Sequence, residues 1–260
     1  MTIPVSNAAQ PRRARLVAWA VCAFCAAAQA LPALAYRPFD STDASVADER
    51  EFELELGPLG YLREGPAKSL IVPAFVANYG LPGDREIVLE GKVLKTLHDA
   101  DGTDSRASLT DTALSLKQVH RRGSLQDATG VSIASECGVL LPELHGQSGT
   151  GVSCALIGSQ RWTAATIHLN GSLTLNREHH WNRFLGTIIE GPDGWTVRPV
   201  AEVFTEREAG AAQTRSALLG SIWRANETLS FDFGVRFARA EDARVREVRA
   251  GLTWTLAFGK

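Results

Sequence analysis

Leu229-Ser-Phe-Asp-Phe-Gly-Val-Arg-Phe-Ala238 and Glu247-Val-Arg-Ala-Gly-Leu-Thr-Trp-Thr-Leu-Ala-Phe258 carry the pattern that decides the fold. In the first stretch Leu229, Phe231, Phe233, Val235 and Phe237 alternate with Ser230, Asp232, Gly234, Arg236 and Ala238. In the second, Val248, Ala250, Leu252, Trp254, Leu256 and Phe258 alternate with Glu247, Arg249, Gly251, Thr253, Thr255 and Ala257. A period of two means strands with one apolar and one polar face. A length of roughly ten residues and an aromatic apolar face suit strands that cross a bilayer. A soluble sandwich buries such a face too, so the hairpin alone leaves both readings open.

The other end of the chain narrows the choice. Arg12, Arg13 and Arg15 precede an apolar run, 16–35, that closes on Ala33-Leu34-Ala35. A basic n-region, an apolar h-region and a small-residue site predict a secretory signal peptide cleaved after Ala35. The run is near the length of a spanning helix, but Pro32 and its small-residue end favour cleavage over a retained anchor. The expected division is therefore a signal peptide, 1–35, and one β domain, 36–260. Removing three arginines and no acid takes the formal charge from −2 to −5, which argues against nucleic acid as a partner. Cys137 and Cys154 survive processing and flank a turn-rich segment. An oxidising compartment permits a disulfide between them, and two buried small apolar residues are the other reading. Two thiols without a C-x-x-C make a zinc or redox site improbable.

Between the ends, strand patterns recur at 52–56, 70–78, 85–97, 111–120, 132–141, 152–159, 165–175, 184–190, 195–204 and 215–224, with Gly, Pro, Asn and Asp between them. With the opening pair this predicts an antiparallel up-and-down transmembrane β-barrel of about 12 strands. Counting back from a periplasmic C-terminus, the turns 79–84, 160–162, 191–194 and 225–228 are periplasmic and short. Loops 98–108, 142–151 and 205–213 are external, longer and more polar. The connection 121–130 is longer than this rhythm wants. The C-terminal strand, with Gly251, Trp254, Leu256 and Phe258, resembles the signal by which barrel-assembly machinery recognises outer-membrane proteins. Strand twelve must pair with strand one near Phe52–Leu56 to remove the sheet's edges.

Tyr36-Arg-Pro-Phe-Asp40 followed by Phe52-Glu-Leu-Glu-Leu56, then Val139-Leu-Leu-Pro142 with Ser148-Gly-Thr-Gly151, resemble motifs of a known family. It is the outer-membrane proteins named for the meta-pathway of phenol degradation, and the resemblance spans most of 36–258. It implies a barrel of the bacterial outer membrane that passes small, often apolar or aromatic compounds. The chain departs from the pattern at Glu143, where threonine is usual, and in the weak alternation of 121–137.

No G-x-S-x-G elbow, H-E-x-x-H, phosphate loop or nucleotide motif is present, so no enzyme and no cofactor is expected. His168 and Ser172 share a face but stand about 13 Å apart along a strand, too far for proton exchange. Glu178-His179-His180 is read as external loop rather than a metal site, because adjacent side chains on extended backbone point apart. The polar face is the better candidate. It would place Glu53, Glu55, Glu90, Lys92, Lys117, His168, Asn170, Arg198, Glu202, Asp232, Arg236 and Arg249 in the lumen. Phe231, Phe233, Phe237, Trp254 and Phe258 would face outer-membrane lipid. Charge in a narrow lumen tunes selectivity. The expected function is passive uptake of a small solute. A plugged structural barrel and a secreted β-sandwich that binds a ligand are the alternatives.

Overall fold

The computed structural model describes residues 37–98, 107–210, 212–240 and 243–258. The expected signal peptide, 1–35, lies outside them, as does most of the loop 98–108. Twelve strands follow in chain order. They are β1 (Glu51–Glu64), β2 (Ala67–Leu81), β3 (Arg85–His98), β4 (Ala107–Arg121), β5 (Ser132–Leu140) and β6 (Gly151–Arg161). Then come β7 (Thr166–Leu175), β8 (Trp181–Glu190), β9 (Val197–Glu208), β10 (Thr214–Arg224), β11 (Leu229–Ala240) and β12 (Ala243–Ala257). Each pairs antiparallel with its neighbours in sequence, and β1 pairs with β12 to close the barrel. The seam sets Phe52 against Leu256, Leu54 against Trp254 and Leu56 against Leu252. Closure leaves no edge to aggregate.

Alternation sorts the side chains into two environments. Phe231, Phe233, Phe237, Trp254 and Phe258 are exposed on the outer face. Between them Asp232 and Arg236 are buried, because inward means toward a filled lumen. The outer surface is thus apolar and the interior polar, the inverse of a soluble protein and the arrangement of transmembrane barrels. Among the described residues no helix is long and apolar enough to cross a membrane. The only helical piece among them is the 3-10 turn Ser124–Gln126, inside the long connection between β4 and β5.

Several strands run further than their sequence pattern. β1 was expected at 52–56 but continues to Glu64 across a bulge between Leu56 and Leu59. Gly57-Pro58 sits in that bulge, where proline's missing N–H breaks no ladder bond, and its presence interrupts the alternation. Pro73 occupies a similar register shift in β2, between Ile71 and Ala74. β9 reaches Glu208, so the first four residues of the expected loop 205–213 are strand. The charged break after Phe237 is likewise paired backbone, with Arg239 opposite Arg244. The short-long rhythm of connections holds only in part, since β1 and β2 are joined, at the end expected to be external, by residues 65–66 alone. Strand ends that stand in water keep their hydrogen bonds without needing apolar side chains, so periodicity cannot mark where they stop.

Cys137 and Cys154 stand opposite one another on β5 and β6 and are joined by a disulfide. Both point outward from the barrel wall. They close the hairpin whose connection, 141–150, holds the sequence's departure at Glu143. That glutamate accepts the backbone N–H groups of Asp111 and Gln147 at 3.1 and 2.9 Å, and its carboxylate lies 3.4 Å from Arg177 Nη1. Gly149 is fixed by a close approach, because a Cβ there would overlap the Arg177 carbonyl.

Candidate functional site

The lumen is occupied by the chain itself. Residues 37–48 form no strand, and 38–44 are buried within the barrel. Sequence dictates this: Arg37-Pro-Phe-Asp-Ser-Thr-Asp-Ala44 has no period-two pattern and cannot join the sheet. A buried backbone outside a sheet must still satisfy its N–H and C=O groups. Here the inner-wall side chains do so.

Glu202 on β9 takes two of those donors, the Asp40 N–H at 2.9 Å and the Ser41 N–H at 2.7 Å. Asn170 on β7 reads the next residue on both sides, accepting the Thr42 N–H at 3.1 Å and donating to its carbonyl at 2.7 Å. Ser159 on β6 accepts from Ala44, and Gln126 of the 3-10 turn donates to the Ala44 carbonyl at 2.8 Å. Glu86 on β3 accepts from Ala47 and Glu55 on β1 from Arg37. The long connection 121–130 thus has a role: it closes over the segment and grips it.

Side chains of the segment are held as firmly. The Arg37 guanidinium bonds both carboxylate oxygens of Asp232, at 3.1 and 3.2 Å. Arg249 donates to the Pro38 carbonyl and to Asp40, each at 2.8 Å, and to Glu247, which also pairs with Arg236. Lys117 stands 3.4 Å from both Asp43 and Glu86 and 3.2 Å from the Thr42 hydroxyl. Burial alone would raise the Asp43 carboxyl. The Lys117 ammonium, then His168, outweigh burial and hold it down at about 2.

Two apolar contacts complete the fit. Phe39 is buried against Ile188, Val200, Leu218 and Ile222, inward residues of β8, β9 and β10. Ala44 packs with Val119, Ala134 and Ile157 on the far side. At the exit the wall makes room: a Cβ on Gly80 would overlap the Asp48 carbonyl, so only glycine fits.

All twelve candidate lumen residues can now be placed. Glu55, Lys117, Asn170, Glu202, Asp232 and Arg249 touch the segment directly, and Arg236 reaches Asp40 at 3.9 Å. Glu53 accepts from Asn78 and Thr255, and Lys92 is paired with Asp111. His168 bonds Ser159 at 2.8 Å and faces Glu190 at 3.4 Å, and Arg198 pairs with Glu190 at 2.9 Å. Glu90 is buried on the inner face of β3. Sequence reasoning missed the segment 37–48 as an occupant, and with it Glu86, Gln126 and Ser159. The usable signal was a polar, unpatterned stretch placed just before the first strand.

Glu178, His180 and Glu208 converge at the end of the barrel away from the C-terminus of β12, their ligand-type atoms within 4.8 Å of one another. Glu208 comes from β9, so the sequence pattern Glu178-His179-His180 could not reveal this grouping. All three are at least partly exposed, and His180 is bonded to Glu208 at 2.9 Å.

No protein-family model matches the chain, and no curated protein matches it in sequence. Solved structures do resemble it. An outer-membrane channel from Pseudomonas putida F1 superposes with a TM-score of 0.59 at 8% identity, covering 84% of this chain and 100% of that one. The NanC porin does so with a TM-score of 0.57 at 5% identity, covering 79% and 100%. Identities this low establish one thing. This chain has the fold of outer-membrane channel barrels.

Proposed function

We propose that the protein is an outer-membrane channel for passive uptake of small solutes, closed at rest by its own residues 37–48. The carrying observation is that this segment is fastened by side-chain hydrogen bonds and ion pairs, never by strand pairing. A segment held this way can leave without breaking a ladder bond of the barrel. Once it leaves, the lumen presents Glu55, Glu86, Lys117, Glu202, Asp232 and Arg249 to water, a mixed-charge path suited to polar or amphipathic solutes. The finer resemblance, to proteins of the meta-pathway of phenol degradation, fits an aromatic acid, whose carboxylate would meet Lys117 or Arg249. The C-terminal strand is the element that assembly machinery would read.

A second reading is a permanently plugged structural barrel, favoured by the burial of Phe39 in a complete apolar socket. Planar-bilayer recording separates the two. The channel reading expects brief, low-conductance openings from the intact mature protein and a steady, larger conductance after deletion of residues 37–48. A folded deletion variant that passes neither ions nor aromatic acids in a liposome-swelling assay would overturn it.

A further inference from the structure

The β8–β9 register brings one imidazole and two carboxylates together at the rim of the barrel. Asn182 on β8 is matched with Glu208, the last residue of β9, and His180 precedes Asn182 by two residues. His180 Nδ1 and Glu208 Oε1 stand 2.9 Å apart. Glu178, in the connection between β7 and β8, completes the group, with the ligand-type atoms of all three within 4.8 Å of one another. Glu208 has the parity of Glu202 and Glu206, so it belongs to the inner face of β9.

The connection that carries two of the three is fixed by bonds from outside the group. The Asn176 side-chain oxygen accepts the backbone N–H groups of Glu178 and His180 at 3.0 and 2.8 Å. The Asn176 N–H in turn donates to the His180 carbonyl at 2.9 Å. Gln147, from the connection between β5 and β6, donates to Glu178 Oε1 at 3.0 Å. Outer contacts of this kind orient ligand side chains around a metal. A carboxylate has a second oxygen, so Glu178 can keep Gln147 and still serve an ion.

The distances suit a metal. Two ligands bonded to one ion at about 2.1 Å stand roughly 3.0–3.4 Å apart, on an octahedral or tetrahedral edge. His180 and Glu208 are already within about half an ångström of that spacing. Glu178 has further to come, and as an exposed side chain it can do so by changing rotamer. Charge points the same way. A proton on His180 offsets one of the two carboxylates, whereas a divalent cation offsets both. An imidazole in the set favours Zn²⁺, Cu²⁺ or Ni²⁺ over Ca²⁺ and Mg²⁺, which take oxygen ligands. Binding needs the neutral imidazole, so any proton on His180 leaves to solvent as the ion enters.

We infer that Glu178, His180 and Glu208 form a binding site for a divalent transition-metal ion of the Zn²⁺ class, with water filling the remaining positions. The ion ties the β7–β8 connection to the end of β9 and, through Gln147, to the connection 141–150. The inference needs only the β8–β9 pairing and stands apart from the channel reading.

Titration of the untagged mature protein in detergent with Zn²⁺, in competition with a zinc-sensitive dye, tests it. One equivalent of Zn²⁺ should bind. His180→Ala and Glu208→Gln should each bind at least about ten-fold more weakly, at unchanged heat-modifiable mobility. Either variant alone carries the comparison when its mobility shows a folded barrel. His179→Asn should bind like the parent, because His179 is not one of the three. Ca²⁺ in large excess should leave the bound Zn²⁺ in place. Parent protein that takes no Zn²⁺, folded His180→Ala or Glu208→Gln protein that binds like the parent, or complete displacement by Ca²⁺ would each overturn the inference. Equal weakening in His179→Asn would overturn the assignment to these three residues. None of these outcomes touches the channel reading, which bilayer recording tests separately.

Discussion

Glu202 on β9 receives the backbone N–H groups of two consecutive residues, Asp40 and Ser41, at 2.9 and 2.7 Å in a buried site. A carboxylate that clamps two donors in this way does the work that a neighbouring strand does elsewhere in the fold. It is the central fastening of residues 37–48, with Arg249 holding Asp40 from the other side at 2.8 Å.

Replacing Glu202 by leucine removes the clamp and leaves two buried N–H groups unpaired, at about 1–3 kcal/mol each. The segment should loosen while the barrel stays closed, because no ladder bond is touched. In bilayers the Glu202→Leu protein should show at least a ten-fold higher open fraction than the parent, with unchanged heat-modifiable mobility. An unchanged open fraction would show that Glu202 does not hold the closed state.

Phe39→Ala should act through packing instead. Loss of a buried phenyl ring costs about 3–5 kcal/mol in a well-packed core, and here that cost falls on the docked segment. A reporter cysteine in place of Ser45, half-buried in the parent, should then react with maleimide many-fold faster. Equal labelling rates with and without Phe39→Ala would mean the ring does not anchor the segment.

The Asp43–Lys117 contact sets a pH dependence whose sign is fixed. A carboxyl held down at about 2, below its ordinary 3.8, favours the docked segment fully above the ordinary value and loses that contribution as pH falls through 2. Docking through this pair should therefore be indifferent to pH between about 5 and 7 and weaken only below about 4. A carbon-13 titration of the Asp43 carboxyl should find a midpoint near 2. In Lys117→Met, with burial left unopposed by the ammonium, the midpoint should rise. A midpoint at the ordinary value in both proteins would remove Lys117 as the cause.

Reducing the Cys137–Cys154 bridge should leave conduction alone. Both sulfurs are on the outer wall, away from every contact of residues 37–48. The bridge closes a sequence separation of 17, for which loop-closure entropy gives about 3 kcal/mol. The double variant Cys137→Ser, Cys154→Ser should unfold at lower urea with an unaltered single-channel record. A changed conductance would tie β5–β6 to the gate.

The barrel was legible because its signal is carried by side chains that meet lipid. Phe231, Phe233 and Trp254 mark their strands, and the β1–β12 seam follows from the need to remove edges. The length of β1 was not legible, since Gly57-Pro58 hides a bulge that backbone pairing passes through. Inner-face residues such as Glu202 and Asp232 could be assigned a face by parity, but not a partner. Their partners come from a segment more than a hundred residues away with no periodicity of its own. Local pattern reports which way a side chain points, and only the closed fold reports what it meets there.

The position of residues 37–48 in the chain imposes an order on assembly. They precede every strand, yet they end up enclosed by all twelve. If β1 joined β12 first, Glu202, Asp232 and Arg249 would be shut inside with water in place of their docked partners, and the segment would have to thread in afterwards through a narrow mouth. Wrapping the sheet around a segment already lying on β9 and β11 avoids that passage. The docked segment is then in place from the moment the barrel closes.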